Sequence, residues 1–181
     1  MSSDGLTPFS YVVLALVGDG GAGPHDIVRM MRRGPAYWAT SESHYYAEPK
    51  RLAKLGYLRA ERTPGQTRER THYTLTDQGR EALRAWVAVP TPFPRIQGEA
   101  VVRLVAADIA GDDAELTRSL TAMRAELDQI AADLDESEAF AATLPHRERY
   151  LRLVHRFGRA LVQLHRDWLD DVEEELGKPG G

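Results

Sequence analysis

The sequence of 181 residues contains no cysteine, which excludes a disulfide framework and a thiolate nucleophile and suits a reducing compartment. Long apolar runs are missing too. No stretch reaches the roughly 20 apolar residues that cross a bilayer, and no basic leader with an apolar core precedes the first helical segment. Secretion and membrane insertion are therefore poor readings, and a cytoplasmic protein is expected. Lysine is scarce, arginine far outnumbering it. No GxSxG occurs, and Gly18, Gly20, Gly21 and Gly23 read as a turn between helices, not as a phosphate cradle. The six histidines, His25, His44, His72, His146, His155 and His165, are scattered without metal-ligand spacing. The acids on the helix carrying His155 and His165 read as a solvated face. No enzyme, cofactor or metal is expected from such a chain.

The net charge of −4 argues against a nucleic-acid partner only until it is divided. Residues 1–90 carry a net +3 and the remainder a net −7. Phosphates respond to a local basic surface, not to the total.

What the chain does have is the stretch from Ser41 to Tyr57, SESHYYAEPKRLAKLGY. At helical spacing Tyr45, Pro49, Leu52 and Leu55 or Gly56 fall near one side, and Ser43, His44, Tyr46, Lys50, Arg51 and Lys54 share the other. The second set offers hydrogen-bond donors and positive charge. Thr40 or Ser41 can cap the start. A solvated basic face on an ordinary helix is the plain alternative, and context has to decide. Next come two alternating segments, Leu58 to Arg62 and Thr71 to Leu75, expected as strands. Pro64-Gly65 turns the chain between them, and Arg68 and Arg70 make the tip basic. A basic helix followed by a hairpin with a basic tip is the order of a winged helix-turn-helix, in which the helix enters the major groove and the hairpin tip touches the flanking backbone or minor groove.

The residues Tyr46, Arg51, Leu52, Gly56, Tyr57 and Leu58, followed by Tyr73, Leu75, Thr76, Gly79, Leu83 and Trp86, resemble the signature of PadR-like transcriptional regulators. With the first two helices, the motif covers roughly half the chain. One departure is visible: many members have proline just after the tyrosine and an aliphatic residue two places later, where this chain has Ala47 and Pro49. Proline inside a helix removes a backbone bond, so a kink or a late helix start near Tyr45 is expected.

Before this stretch, Leu6 to Val17 is apolar around most of a helix and should be buried on more than one side. Pro24 to Arg33 reads as the helix crossing the DNA backbone, with Ile27, Met30 and Met31 inside; Arg29, Arg32 and Arg33 lie outside, either solvated or on phosphates. Tyr37 and Trp38 lie in a loop or short strand, Trp38 as a core plug or, alternatively, facing an effector. After the hairpin, Thr76 caps a helix to about Val89 with Ala82, Leu83, Trp86 and Val87 inward, and Gly79 permits a close backbone approach. The PTPFP segment then marks a stiff boundary. We therefore expect a winged helix-turn-helix domain at 1–89, a linker at 90–96 and a helical domain at 97–181.

That last domain should be all helical. Ile96 to Ile109 reads as one helix, with Val101, Val102, Leu104 and Val105 apolar. A long helix from Asp112 or Asp113 carries Leu116, Leu120, Met123, Leu127, Ile130 and Leu134 as a heptad seam. A last helix after Pro145 carries Leu151, Val154, Phe157, Leu161, Leu164, Trp168 and Val172. Two seams in so small a domain suggest packing on a second copy, the role the family resemblance implies; an antiparallel hairpin within one chain is the alternative.

The fold expected is mainly α with a small β-hairpin: an N-terminal winged helix-turn-helix and a C-terminal antiparallel helical dimerisation domain. The function expected is a homodimeric regulator, a repressor, on a pseudo-palindromic double-stranded operator. Ser43, His44 and Tyr46 would meet base edges or nearby phosphates, Lys50, Arg51 and Lys54 the backbone, and Arg68 and Arg70 would form the wing contact. The resemblance further implies release by a small flat effector, for which Tyr11, Trp86, Phe157 and Trp168 could line a pocket or simply pack. A winged-helix adaptor that docks a protein through its long helices without reading DNA is the rival.

Overall fold

A computed structural model describes residues 5–32, 42–63, 70–94 and 98–178. The expectations for Arg33, Tyr37, Trp38, the cap at Thr40 or Ser41, the Pro64-Gly65 turn, Arg68 and Ile96 lie outside those residues. The chain divides into two compact units, residues 1–92 and 93–181, so that the division falls within the PTPFP segment.

The N-terminal unit begins with α1 (Pro8–Val17). Thr7 and Ser10 form a reciprocal capping box: the Thr7 hydroxyl accepts from the Ser10 N–H at 3.2 Å, and the Ser10 hydroxyl accepts from the Thr7 N–H at 2.8 Å. Two of the helix's unpaired N-terminal donors are thus satisfied. Val13, Leu14 and Val17 are buried, with Phe9, Tyr11 and Leu16 packed against the same core. Helix α2 (Pro24–Arg32) buries Ile27 and Val28, the second of which the sequence reading left out. Helix α3 (Glu42–Lys54) runs through Pro49, which is fully buried, and begins at Glu42, not late near Tyr45. It ends in a Schellman motif: Gly56, at φ +84°, donates to the Ala53 carbonyl at 3.2 Å, and Tyr57 donates to Leu52 at 3.0 Å.

Strands β1 (Leu58–Thr63) and β2 (Arg70–Leu75) pair antiparallel, with Leu58 opposite Leu75 and Thr63 opposite Arg70. Leu58 and Tyr73 point into the core. The glycine-rich turn has a further part that the sequence did not reveal. Ala22 exchanges both backbone hydrogen bonds with Tyr73, at 2.9 and 3.0 Å, forming a bridge on the free side of β2. Gly21, at φ +71°, makes this approach possible, because a Cβ there would strike His72 and lie 2.8 Å from the Tyr73 carbonyl oxygen.

Helix α4 (Asp77–Val87) is capped by Thr76, whose hydroxyl accepts from the Gly79 N–H at 3.1 Å. Ala82 and Leu83 pack on the core as expected. Val87 does not: it is 74% exposed, and Trp86 is 44% exposed. Helical spacing marks a face but not how far along the helix that face is covered.

In the C-terminal unit the expected first helix is split at Ala106 into α5 (Glu99–Val105) and α6 (Ala107–Ala110). The long helix is likewise divided at Ala122, into α7 (Asp113–Thr121), capped by Asp112, and α8 (Met123–Ala141). Helix α9 (Glu148–Leu176) runs back along α8. The cross-pairs give the direction: Arg124 meets Asp170, Arg166 meets Asp128, and Arg159 meets Asp135 and Glu138. Partner numbers fall as position along α8 rises, so the two helices are antiparallel. Exposed pairs of this kind add little stability each, but they fix the register.

The α8 seam is covered within this hairpin. Leu120, Leu127 and Leu134 are buried, and Leu116, Met123 and Ile130 pack beside them. The expected α9 seam holds at Val172, which is buried, and at Trp168, which packs on the same core, and is corrected further up the helix. The buried residues of α9 are His155, Gly158, Val162, Leu169 and Val172, while Phe157 and Leu164 stand 59% and 62% exposed. The helix carries two apolar stripes, and the inner one is completed by a glycine and a histidine that no hydrophobic count includes. His155 lies buried with Nε2 3.0 Å from the Ser137 hydroxyl, whereas Asp167, Asp170 and Asp171 of the same helix are exposed. Val101, Val102 and Val105 of α5 are exposed as well.

Candidate nucleic-acid interface

The site is built on α3, whose two sides are held apart by what each touches. On the inner side Tyr45, Pro49 and Leu52 are buried, and the Tyr45 ring meets Phe9 edge-on at 5.1 Å and 68°. Burial raises the Tyr45 phenol above its ordinary pKa. This packing fixes which residues face outward. Ser43, Tyr46, Ala47, Lys50, Arg51 and Lys54 line one open trough along the other side. Ser43, Lys50 and Lys54 are exposed, and Tyr46 and Arg51 half-buried. Spacings of three and four residues bring them onto one line.

His44 is the candidate that does not join that line. Its ring lies 6.2 Å from Phe9, and its charge acts on the Glu48 carboxylate. Tyr46 is steadied from the neighbouring helix, its hydroxyl 3.2 Å from His25 Nδ1 and the two rings edge to face at 5.6 Å. His25 was not singled out from the sequence, because only the crossing of α2 and α3 makes it a neighbour of Tyr46.

Arg51 is the most constrained of the set. Its Nε and Nη2 grip both oxygens of Glu48 at 2.8 and 2.6 Å, Nη2 also reaches the Ser10 hydroxyl at 2.9 Å, and Nη1 donates to the Gly5 carbonyl at 2.9 Å. Burial pushes the Glu48 carboxyl up, yet the hydrogen bonds from Arg51 and Ser10, with the charges of Arg51 and His44, hold it below its ordinary value. The same hydrogen bond to Glu48 raises Arg51 against the opposing effect of burial.

At the hairpin, Arg70 opens β2 and is exposed, and Arg59 and Arg62 add exposed cations on β1 that the sequence reading treated only as strand residues. Exposed cations of this unit thus occur both on the trough and along the wing, while Arg29, Arg80 and Arg84 lie elsewhere on it, each paired with an acid. Among the described residues, no group of three or more His, Cys, Asp or Glu could hold a metal ion, and no helix is long and apolar enough to cross a membrane. Of the four effector candidates, Tyr11 and Trp86 stack at 4.8 Å and 7° in the first unit. In the second, Phe157 is exposed and Trp168 packs against the core.

Two family models divide this chain between them. Residues 13–85 match the transcriptional regulator PadR-like family, and residues 97–177 match the C-terminal region of virulence activator alpha. Over residues 13–85 the chain is thus a PadR-like sequence, similar to a family of transcriptional regulators. The relatives it matches are transcriptional regulators. Among relatives of the PadR-like chain, the negative transcriptional regulator PadR of Bacillus subtilis is 30% identical over 46% of this chain and 47% of its own length. The chain thus spans about half of that relative. A probable transcriptional regulator of Mycobacterium tuberculosis is 28% identical over 84% of this chain and 88% of its own.

Solved structures share the PadR-like fold at lower identity. Bacillus subtilis PadR in complex with operator DNA superposes with a TM-score of 0.75 at 21% identity, covering 94% of this chain and 98% of that one. The same protein has also been solved with p-coumaric acid, at a TM-score of 0.62 and 18% identity, covering 93% and 98%. The Vibrio cholerae virulence activator AphA gives 0.70 at 24% identity, covering 93% and 97%.

Proposed function

We propose that this regulator is a cytoplasmic homodimeric repressor that reads a pseudo-palindromic operator and is released from it by a small flat ligand. The observation that carries the reading is the single trough along α3 lined by Ser43, Tyr46, Lys50 and Lys54, with the exposed Arg70 on the wing of the same unit. Hydroxyls near the start of a reader helix meet base edges or phosphates, and lysines further along neutralise backbone charge. His44 and Arg68 complete the proposed contact set. Bacillus PadR bound to operator DNA supports this use of the fold.

Dimerisation is supported by the apolar side chains Phe157 and Leu164 on α9, each more than half exposed. Two reader helices would then enter successive major grooves about 34 Å apart. Repression follows the name of Bacillus PadR, although AphA is named an activator. The p-coumaric acid complex supports a flat aromatic effector, for which the rings of Tyr11 and Trp86 in the first unit, or of Phe157 and Trp168 in the second, are the candidates.

The test is a salt titration of the purified chain on the region upstream of its own gene, beside a scrambled duplex. Selective binding with a steep negative salt slope is expected. Arg68→Ala with Arg70→Ala should weaken binding to both duplexes and flatten the slope by about two. Failure to bind either duplex at low salt would overturn the reading in favour of a protein-docking module.

A further inference from the structure

Ser10 is fully buried on α1, yet its hydroxyl is spent on the reader helix. It donates to Glu48 Oε1 at 2.7 Å and accepts from the Thr7 N–H at 2.8 Å and from Arg51 Nη2 at 2.9 Å. One donor and two lone pairs are all a serine hydroxyl has, so this one is saturated. Glu48, whose side chain is 12% exposed, takes Ser10 and Arg51 on one oxygen and Arg51 again on the other. Four of the five guanidinium hydrogens of Arg51 are directed at Glu48, Ser10 and Gly5.

We propose that Ser10, Glu48 and Arg51 form a rivet that sets the rotation of α3 against α1, and that Arg51 is a positioning residue for the reader helix, not a phosphate contact. The proposal rests on α3 being the DNA reader. Arg51 borders the trough, so its position alone would suit a phosphate. Its chemistry does not. Its charge is compensated by a carboxylate three residues earlier in a two-point contact, the geometry in which arginine binds most specifically. Turning it toward DNA would strand Glu48 beside the negative backbone, mostly buried and without its partner, which is the costly way to break such a pair. Lys50 and Lys54, exposed on the same trough, bear no comparable ties among the described residues.

The rivet also reaches the chain before α1. Through the Gly5 carbonyl and the Thr7 cap, the entry to α1, α1 itself and α3 are joined at one polar point. A small rotation of α3 would swing Ser43 and Tyr46 away from the bases they are proposed to read. It would leave the number of phosphates met by the lysines unchanged.

The two roles of Arg51 predict opposite results for Glu48→Gln in the full chain. A positioning role lowers operator affinity by about ten-fold, the size of one charge-assisted hydrogen bond, with scrambled-duplex affinity and the salt slope unchanged. A phosphate role frees the guanidinium, so both affinities rise and the slope steepens by about one. Ser10→Ala, which alters α1 and leaves the trough untouched, should reproduce the operator-specific loss. Arg51→Lys, which keeps the charge but not the two-point contact, should do the same, whereas a phosphate contact would largely survive it. Far-UV circular dichroism confirms that each variant is folded. A wild-type chain without operator preference overturns the reader assignment itself. A selective wild type whose Glu48→Gln variant binds more tightly overturns only the rivet.

Discussion

Gly79 on α4 passes so close to Tyr57 that a Cβ at position 79 would collide with the Tyr57 carbonyl oxygen. The same carbonyl accepts the Thr76 N–H at 3.2 Å, and the Thr76 hydroxyl donates to the neighbouring Gly56 carbonyl at 2.6 Å. The end of α3 and the start of α4 are therefore joined through backbone. Gly79→Ala has no flexible side chain to displace, and it should cost the N-terminal unit about 1–3 kcal/mol, as overpacking does. A lower urea midpoint with an unchanged m-value would show this; a midpoint equal to that of the wild type would mean that the backbone yields.

Acid should loosen the contact between α1 and α3. The Glu48 carboxyl is held below its ordinary value of 4.5 in the folded chain. Its contribution is therefore complete above that value and is lost as pH falls through the lower folded value. Between those two points, wild-type stability should decline more steeply than that of Glu48→Gln, which has no proton to bind there. Thermal melts at a series of acidic pH values measure the difference, and parallel curves would show that the rivet adds no acid sensitivity.

These two contacts show where the sequence could be read. Gly79 and Thr76 were legible because a cap and a close approach are local signals, fixed by residue type and offset. Helix α3 and the two strands of the hairpin were legible through periodicity, but the register of the strands was not read from the sequence. Ser10, Glu48 and His25 were not, since a buried serine on an apolar helix and an acid on a basic one become partners only after α1, α2 and α3 cross. Arg51 was legible as a cation of the site, though not as one already held by its neighbours. On α9, periodicity placed Trp168 and Val172 inward as they are, but it also chose Val154, Phe157 and Leu164, which face outward, because His155 and Gly158 conceal the inner stripe there.

Tyr11 and Trp86 stack almost parallel at 4.8 Å, joining α1 to α4. Because Trp86 remains partly exposed, its stability contribution rests largely on that one ring. The coupling between Tyr11→Ala and Trp86→Ala in a double-mutant cycle should be about 0.5–1.5 kcal/mol, the usual worth of an aromatic pair beyond its area. Strict additivity would reduce the stack to coincidental proximity. A loss of near-ultraviolet dichroism in either single variant would report the same pairing.

The two stripes of α9 should separate folding from association. Leu169 is fully buried against α8, so Leu169→Ala should cost about 2–5 kcal/mol and unfold the C-terminal unit at lower temperature. Leu164 faces outward, and a carboxylate there meets water in a monomer but an apolar surface in the proposed dimer. Leu164→Glu, alone or with Phe157→Glu, should therefore leave helicity and the melting of the isolated chain nearly unchanged while converting dimers to monomers. Sedimentation velocity over a concentration series distinguishes the two effects. Operator affinity should fall with dissociation, because one reader helix retains only one half-site. Dimers that persist in the double variant would move the interface away from this stripe, toward the exposed valines of α5.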